Sequence, residues 1–131
     1  MKLLISGSRS LNDTSLISKA IGYAGISLKS ITEVVHGGST SIDTAAGWWA
    51  ANHSIAVKVF KADWKNLKAK GAIVAHNGFG EYNRTAGITR NKLMGRYADV
   101  LVAIWDGQSR GTQHMISVME KLEKDYYVYE I

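Results

Sequence analysis

Short apolar runs alternate with helix-periodic stretches along this chain, and that alternation limits its fold more than any other feature. The runs are Lys2 to Ser6, Glu33 to His36, Ile55 to Phe60, Val100 to Trp105 and Tyr126 to Tyr129. Between them lie helical patterns. One carries Leu16, Ile17, Ala20 and Ile21, and one runs through Ala45, Ala46, Trp48, Trp49 and Ala50. A third lets Leu93, Met94 and Tyr97 share a face, and a fourth extends from Gly111 to about Lys124. Apolar runs of strand length separated by helices predict an α/β fold with a mostly parallel sheet of about five strands and helices on both faces. The expectation is a single Rossmann-like three-layer domain over residues 1–131, with the first strand central and the Val100 strand beside it. The segment from Lys61 to Ala86 is the least regular. Trp64 to Lys68 reads as one helical turn, and Asn77 to Gly80 as a loop.

Each of three strands is followed by a loop rich in glycine and hydroxyl groups. These are Gly7-Ser8-Arg9-Ser10, Gly37-Gly38-Ser39-Thr40-Ser41 and Gly107-Gln108-Ser109-Arg110-Gly111-Thr112. In a parallel sheet such loops share one edge, where ligands bind at the point of strand-order reversal. Glycine lets backbone approach a ligand closely. Ser39, Ser109 and Thr112 offer hydroxyl donors, and Arg9 and Arg110 offer charge-assisted hydrogen bonds. The Val100 strand, its loop and the helix start that follows direct unpaired N–H groups and a positive dipole end at one point. Any one of these loops is also what an ordinary strand-to-helix turn with a capping residue looks like. Their joint placement points to an anion site.

Charge agrees with this reading. Sixteen Lys and Arg against eleven Asp and Glu give a formal charge of +5, which favours anionic partners such as nucleotides or nucleic acid. The excess is spread along the chain, so it singles out no tail. A composition 46% hydrophobic and 21% charged is that of an ordered protein. The chain has no cysteine, which excludes disulfides and thiolate metal sites and fits a reducing compartment. The N-terminal apolar run is too short for a signal peptide, and no run approaches a membrane span, so the expected location is cytoplasmic. The four histidines lack metal-ligand spacing, so no metal and no cofactor are expected.

Taken together, Ser6-Gly7-Ser8-Arg9, His36-Gly37-Gly38 with Asp43, Ala46 and Trp49-Ala50, Asp63-Trp64, Ala86-Gly87, Arg90-Asn91 with Met94, Ala98-Asp99, and Gly107 with Ser109-Arg110-Gly111-Thr112 occur in a telling order. This ordered set resembles the SLOG superfamily, which includes the LOG phosphoribohydrolases and the Smf/DprA proteins. It looks most like the YspA-like branch found in bacteria and their phages. The resemblance spans nearly the whole chain. It implies a Rossmann-like fold, a pocket for nucleotides or nucleotide-derived signals such as ADP-ribose relatives, and self-association as a dimer or higher oligomer. If the chain is phage-encoded, it implies the host cytoplasm.

One departure bears on catalysis. The LOG enzymes end this loop in Gly-Thr-x-x-Glu, whose glutamate takes part in N-glycosidic bond cleavage. Here the pattern is Gly111-Thr112-Gln113-His114-Met115, and methionine is neither an acid nor a base. No catalytic residue is therefore assigned. Asp43, Asp106 and His114 are the residues that could replace the carboxylate.

The ligand-binding candidates are Gly7, Ser8, Arg9, Gly37, Gly38, Ser39, Asp43, Trp64, Arg90, Asn91, Gly107, Ser109, Arg110, Gly111 and Thr112. Several have a plain alternative. Arg90 reaches a phosphate or ribose, or is a solvated helix arginine. Asn91 bonds the ligand or merely sits near the helix start. Asp43 grips a ribose hydroxyl or complements its helix dipole. Trp64 stacks on a base, or is a lid or core residue. The leading function is binding of a nucleotide-derived small molecule, as a sensor or sequestering protein. The alternatives are hydrolysis of an N-glycosidic or phosphate bond of such a ligand, and DprA-like nucleic-acid binding.

Overall fold

The computed structural model describes residues 1–8, 13–39, 41–78 and 80–131. In chain order the elements are β1 (Lys2–Gly7), α1 (Ser15–Ala24), a 3-10 turn (Leu28–Ser30), β2 (Glu33–His36), α2 (Ile42–Asn52), β3 (Ala56–Val59), β4 (Val74–Asn77), β5 (Gly80–Asn83), α3 (Ala86–Tyr97), β6 (Val100–Trp105), α4 (Arg110–Lys121) and β7 (Asp125–Glu130). Five strands form one sheet in the order β3-β2-β1-β6-β7. Every pairing in it is parallel. The first strand is central and pairs with the Val100 strand, with Leu4 beside Leu101 and Gly7 beside Ile104.

The three central strands β2, β1 and β6 read as apolar runs because both of their faces are covered, and a period of two divides their side chains between two cores. Leu3, Ile5, Val34, Val100, Val102 and Ile104 pack with Ile17, Ala20 and Ile21 of α1 and Ala45, Ala46 and Trp49 of α2. The intervening Leu4, Val35, Leu101 and Ala103 pack on the other face with Met94 of α3 and Met115, Val118 and Met119 of α4. Helices on both faces of a parallel sheet make the expected three-layer Rossmann-like arrangement. Fully burying one such large side chain contributes about 1.5–3 kcal/mol.

The adjacent tryptophans of α2 diverge: Trp49 is 4% exposed in the core, and Trp48 is 65% exposed. The tyrosine-rich β7 is a partly exposed edge strand. Between α3 and α4 the packing is close, since a Cβ on Gly95 would fall 2.6 Å from Val118 Cγ1. Beyond α4, the Lys124 ammonium donates to the carbonyls of Gly95, Arg96 and Ala98 at 2.8, 2.9 and 2.7 Å. That cation closes the C-terminal end of α3, where carbonyls lack helical partners.

Residues 61–86 depart from the sequence reading. Where the sequence shows only an irregular segment, β4 and β5 form an antiparallel hairpin, with Ala75 opposite Tyr82 and His76 opposite Glu81. The expected helical turn at Trp64 is a hydrogen-bonded turn that does not go on into helix. The hairpin was illegible because most of its side chains are exposed, so no apolar alternation marks it. Its end is fixed by Asn83, 4% exposed, whose side-chain amide donates to Asn66 O. The Asn83 side-chain oxygen Oδ1 accepts from the backbone N–H and hydroxyl of Thr85, at the start of α3. α3 therefore begins at Ala86, and Arg90 lies in its second turn.

Candidate functional site

Strand order reverses between β1 and β6, since the chain builds outward from β1 through β2 to β3 and then crosses to the other side. The carboxyl ends of β1 and β6 are joined at this point. Ser8 N–H donates to Ile104 O at 3.1 Å, and the Ser8 hydroxyl accepts from Asp106 N–H at 3.1 Å. Ser8 is buried by these contacts.

The loop from β6 to α4 is shaped by Asp106. Its Oδ1 accepts from the backbone N–H groups of Gln108 and Ser109 at 2.9 and 2.8 Å. Those bonds, Gln108's first, hold the carboxyl below its ordinary value of 3.8. Gly107 turns the chain at φ 82°, where a side chain would be strained. The Trp105 indole N–H donates to Ser109 O at 3.0 Å. Ser109 then caps α4 by accepting from Thr112 N–H, with its hydroxyl 3.2 Å from that of Thr112. The first turn of α4 is thereby aimed at the β1–β6 junction with its N–H groups leading.

A cavity of about 360 Å³ lies at this junction. Its floor is the end of β1, from Ile5 to Gly7. On one side stand Ser109, Arg110, Gly111 and Thr112. On the other stand Ser39 and Asp43 from the β2–α2 region and Arg90, Asn91 and Met94 from α3. Nine candidates read from the sequence are thus brought together: Gly7, Ser39, Asp43, Arg90, Asn91, Ser109, Arg110, Gly111 and Thr112. Ser8, Gly37, Gly38 and Gly107 shape the surrounding loops without lining the cavity. Trp64 lines a neighbouring hollow instead. Arg9 and Thr40 lie outside the described residues.

Arg90 is held in place by its neighbours. Its Nη1 donates to Gly37 O at 2.6 Å, and its Nε donates to Asn91 Oδ1 at 3.1 Å. The fit is tight: a Cβ on Gly37 would stand 2.4 Å from Nη1 and 2.9 Å from Cζ. The Arg90 Nε–H can only donate, so Asn91 must turn its oxygen toward it and its amide nitrogen toward His114 Nδ1, 3.0 Å away. That nitrogen accepts, which puts the His114 proton on Nε2. Burial, then the positive charges of Lys92 and Lys121, lowers the His114 pKa from its ordinary 6.5. Asn91 is 7% exposed and acts in both directions, which its position near a helix start did not disclose.

Asp43 is 7% exposed and lies in the first turn of α2. Its Oδ2 accepts from both the N–H and the hydroxyl of Ser39, at 3.1 and 2.6 Å. It therefore orients the glycine loop as well as facing the cavity. His36 orients the same loop, its Nδ1 accepting from Gly38 N–H at 3.0 Å. Burial lowers the His36 pKa below 6.5, and the nearby charge of Asp43 opposes that shift.

Met115, where the LOG pattern has glutamate, is fully buried in the core beneath α4. The side chain at that position faces the sheet and not the cavity. Asp43 alone among the described acidic residues lines the cavity. Two guanidinium-bearing residues and a helix start set against a single engaged carboxylate suit an anion of phosphate type. Among the described residues no group of three or more histidine or acidic side chains is placed to hold a metal ion, and no helix is long and apolar enough to cross a membrane.

Comparison with known sequences adds one finding. A family model described as YspA, cpYpsA-related SLOG family matches residues 1–67. No curated protein and no solved structure matched the chain.

Proposed function

The chain belongs to the YspA, cpYpsA-related SLOG family, and on that premise we propose that its cavity binds a nucleotide or nucleotide-derived small molecule, of ADP-ribose type, as a sensor or sequestering site. The observation that carries this reading is the convergence of Arg90, Arg110 and the first turn of α4 on one cavity at the switch point of the sheet. Its volume of about 360 Å³ falls within the range of roughly 300–1,000 Å³ typical of small-molecule sites. A phosphate against Ser109–Thr112 would meet helix N–H groups and hydroxyls, and Arg90 and Arg110 would neutralise its charge.

Binding without turnover is preferred because Met115 stands where the LOG pattern has its glutamate, and among the described residues Asp43 alone brings a carboxylate to the cavity. The hydrolytic reading has one observation in its favour, the Asp43 carboxylate beside the cavity. As a base it would have to act while its Oδ2 is already engaged by two hydrogen bonds from Ser39.

Calorimetry with AMP, ADP-ribose and cyclic ADP-ribose tests the binding reading. Saturable binding of at least one is expected, and silence across all three would end it. Chromatography of the same nucleotides after incubation separates the two readings, because release of a free base or of phosphate would establish turnover.

A further inference from the structure

The cavity does not stop at α4. A second hollow of about 320 Å³ adjoins it, and the two share Arg90, Asn91, Arg110 and Gly111. A ligand anchored at the first turn of α4 therefore has room to continue past Arg90 and Arg110 into a second compartment of different character.

The far wall of that compartment is Trp64, with Ile88 beside it. Both are large apolar side chains left in solvent, 40% and 44% exposed. Trp64 is nevertheless well seated. Its ring lies over Gly87, where a Cβ would come within 3.0 Å of Cη2, and it meets Tyr82 edge-on at 6.4 Å. Its carbonyl accepts from Asn83 N–H, which ties it to the end of the β4–β5 hairpin. An indole held from behind by a hairpin and a helix glycine, yet open toward a cavity, is a preformed stacking platform. Among the described residues no carboxylate lines this compartment. Arg84 and His114 line it and carry N–H donors, which suits a ring whose edge carries acceptors.

We propose that the Trp64 hollow is a nucleobase subsite, so that the chain recognises a complete nucleotide and not a bare sugar phosphate. This rests on the reading that the first cavity takes the phosphate. The distance between the compartments is bridged by the residues they share, and a ribose between phosphate and base would lie against them.

The test is calorimetry of the intact chain with AMP, GMP and ribose 5-phosphate, using the parent protein, Trp64→Ala and Ile88→Glu, with circular dichroism to verify folding. The parent should bind at least one nucleotide about tenfold or more tightly than ribose 5-phosphate, as stacking of one base allows. Trp64→Ala should erase that preference while leaving the ribose 5-phosphate affinity unchanged. Ile88→Glu, a surface substitution that leaves Trp64 in place, should also weaken the nucleotide alone. Equal binding of nucleotides and ribose 5-phosphate by the parent overturns the base subsite and leaves the phosphate reading standing. A nucleotide preference that survives in both variants overturns it as well. Failure of the parent to bind any of the three probes removes the phosphate reading and this one together.

Discussion

Replacing Gly37 with alanine should cost ligand affinity through Arg90, although Gly37 does not line the cavity. The added Cβ would lie 2.4 Å from Arg90 Nη1, 2.9 Å from Cζ and 3.1 Å from Asp43 Oδ2. The first two separations are far inside contact distance, so the guanidinium must swing away. It then loses its bond to Gly37 O at 2.6 Å and its alignment on Asn91 Oδ1 at 3.1 Å. A hydrogen bond to a charged group is worth about 1.5–3 kcal/mol, so AMP affinity should fall roughly ten- to a hundredfold. Folding should suffer less, by about 1 kcal/mol, because alanine also reduces the freedom of the unfolded chain. Calorimetry on Gly37→Ala, Arg90→Ala and the double variant isolates the cause. If Gly37 acts through Arg90, the double variant binds AMP no more weakly than Arg90→Ala alone. Additive losses, or unchanged affinity in Gly37→Ala, would refute the argument.

Three further outcomes are expected. Lys124→Met keeps the aliphatic stem but removes the cation from three carbonyls, and urea unfolding should show a loss of about 2–3 kcal/mol; a loss under about 0.5 kcal/mol would mean the clamp is decorative. Met115→Glu should not create an enzyme but destabilise the fold by about 3–5 kcal/mol, because the new carboxylate enters a sealed core; a stable variant that cleaves AMP would contradict that placement. His36 and His114 both have folded pKa values below the ordinary 6.5, so the folded chain favours their neutral forms. Their contribution is intact above pH 6.5 and is lost as pH falls from there through the folded values. The urea midpoint should therefore be lower at pH 5.5 than at pH 7.5, and the drop should shrink when both are replaced by glutamine; an equal drop would assign it elsewhere.

The centre of the sheet was legible because its strands are apolar on both faces, and Leu3-Leu4-Ile5 and Val100 to Ile104 have no other stable home. The loops that end β1, β2 and β6 were legible because glycine and hydroxyl residues serve a distinct purpose after a parallel strand. The β4–β5 hairpin was not, since its pairing rests on backbone bonds between exposed residues such as His76 and Glu81. That omission hid the environment of Trp64, whose neighbours Arg84 and His114 are brought near by the hairpin and by α4. The double engagement of Asn91 was equally hidden, because it depends on which atoms of Arg90 and His114 face it across two helices. Arg9 has a readable charge and lies outside the described residues.

The central place of β1 has a consequence for any shortened form of this chain. The family match ends at residue 67, and a product cut there would keep β3, β2 and β1 but lose the neighbour on the far side of β1. The polar backbone from Leu3 to Gly7 would become a bare margin, inviting another polypeptide to align along it. Such a fragment would be prone to aggregate, and would retain Ser39 and Asp43 without Arg90, Arg110 or the first turn of α4. The proposed site thus belongs to the closed circuit of the chain and cannot be inherited by either half.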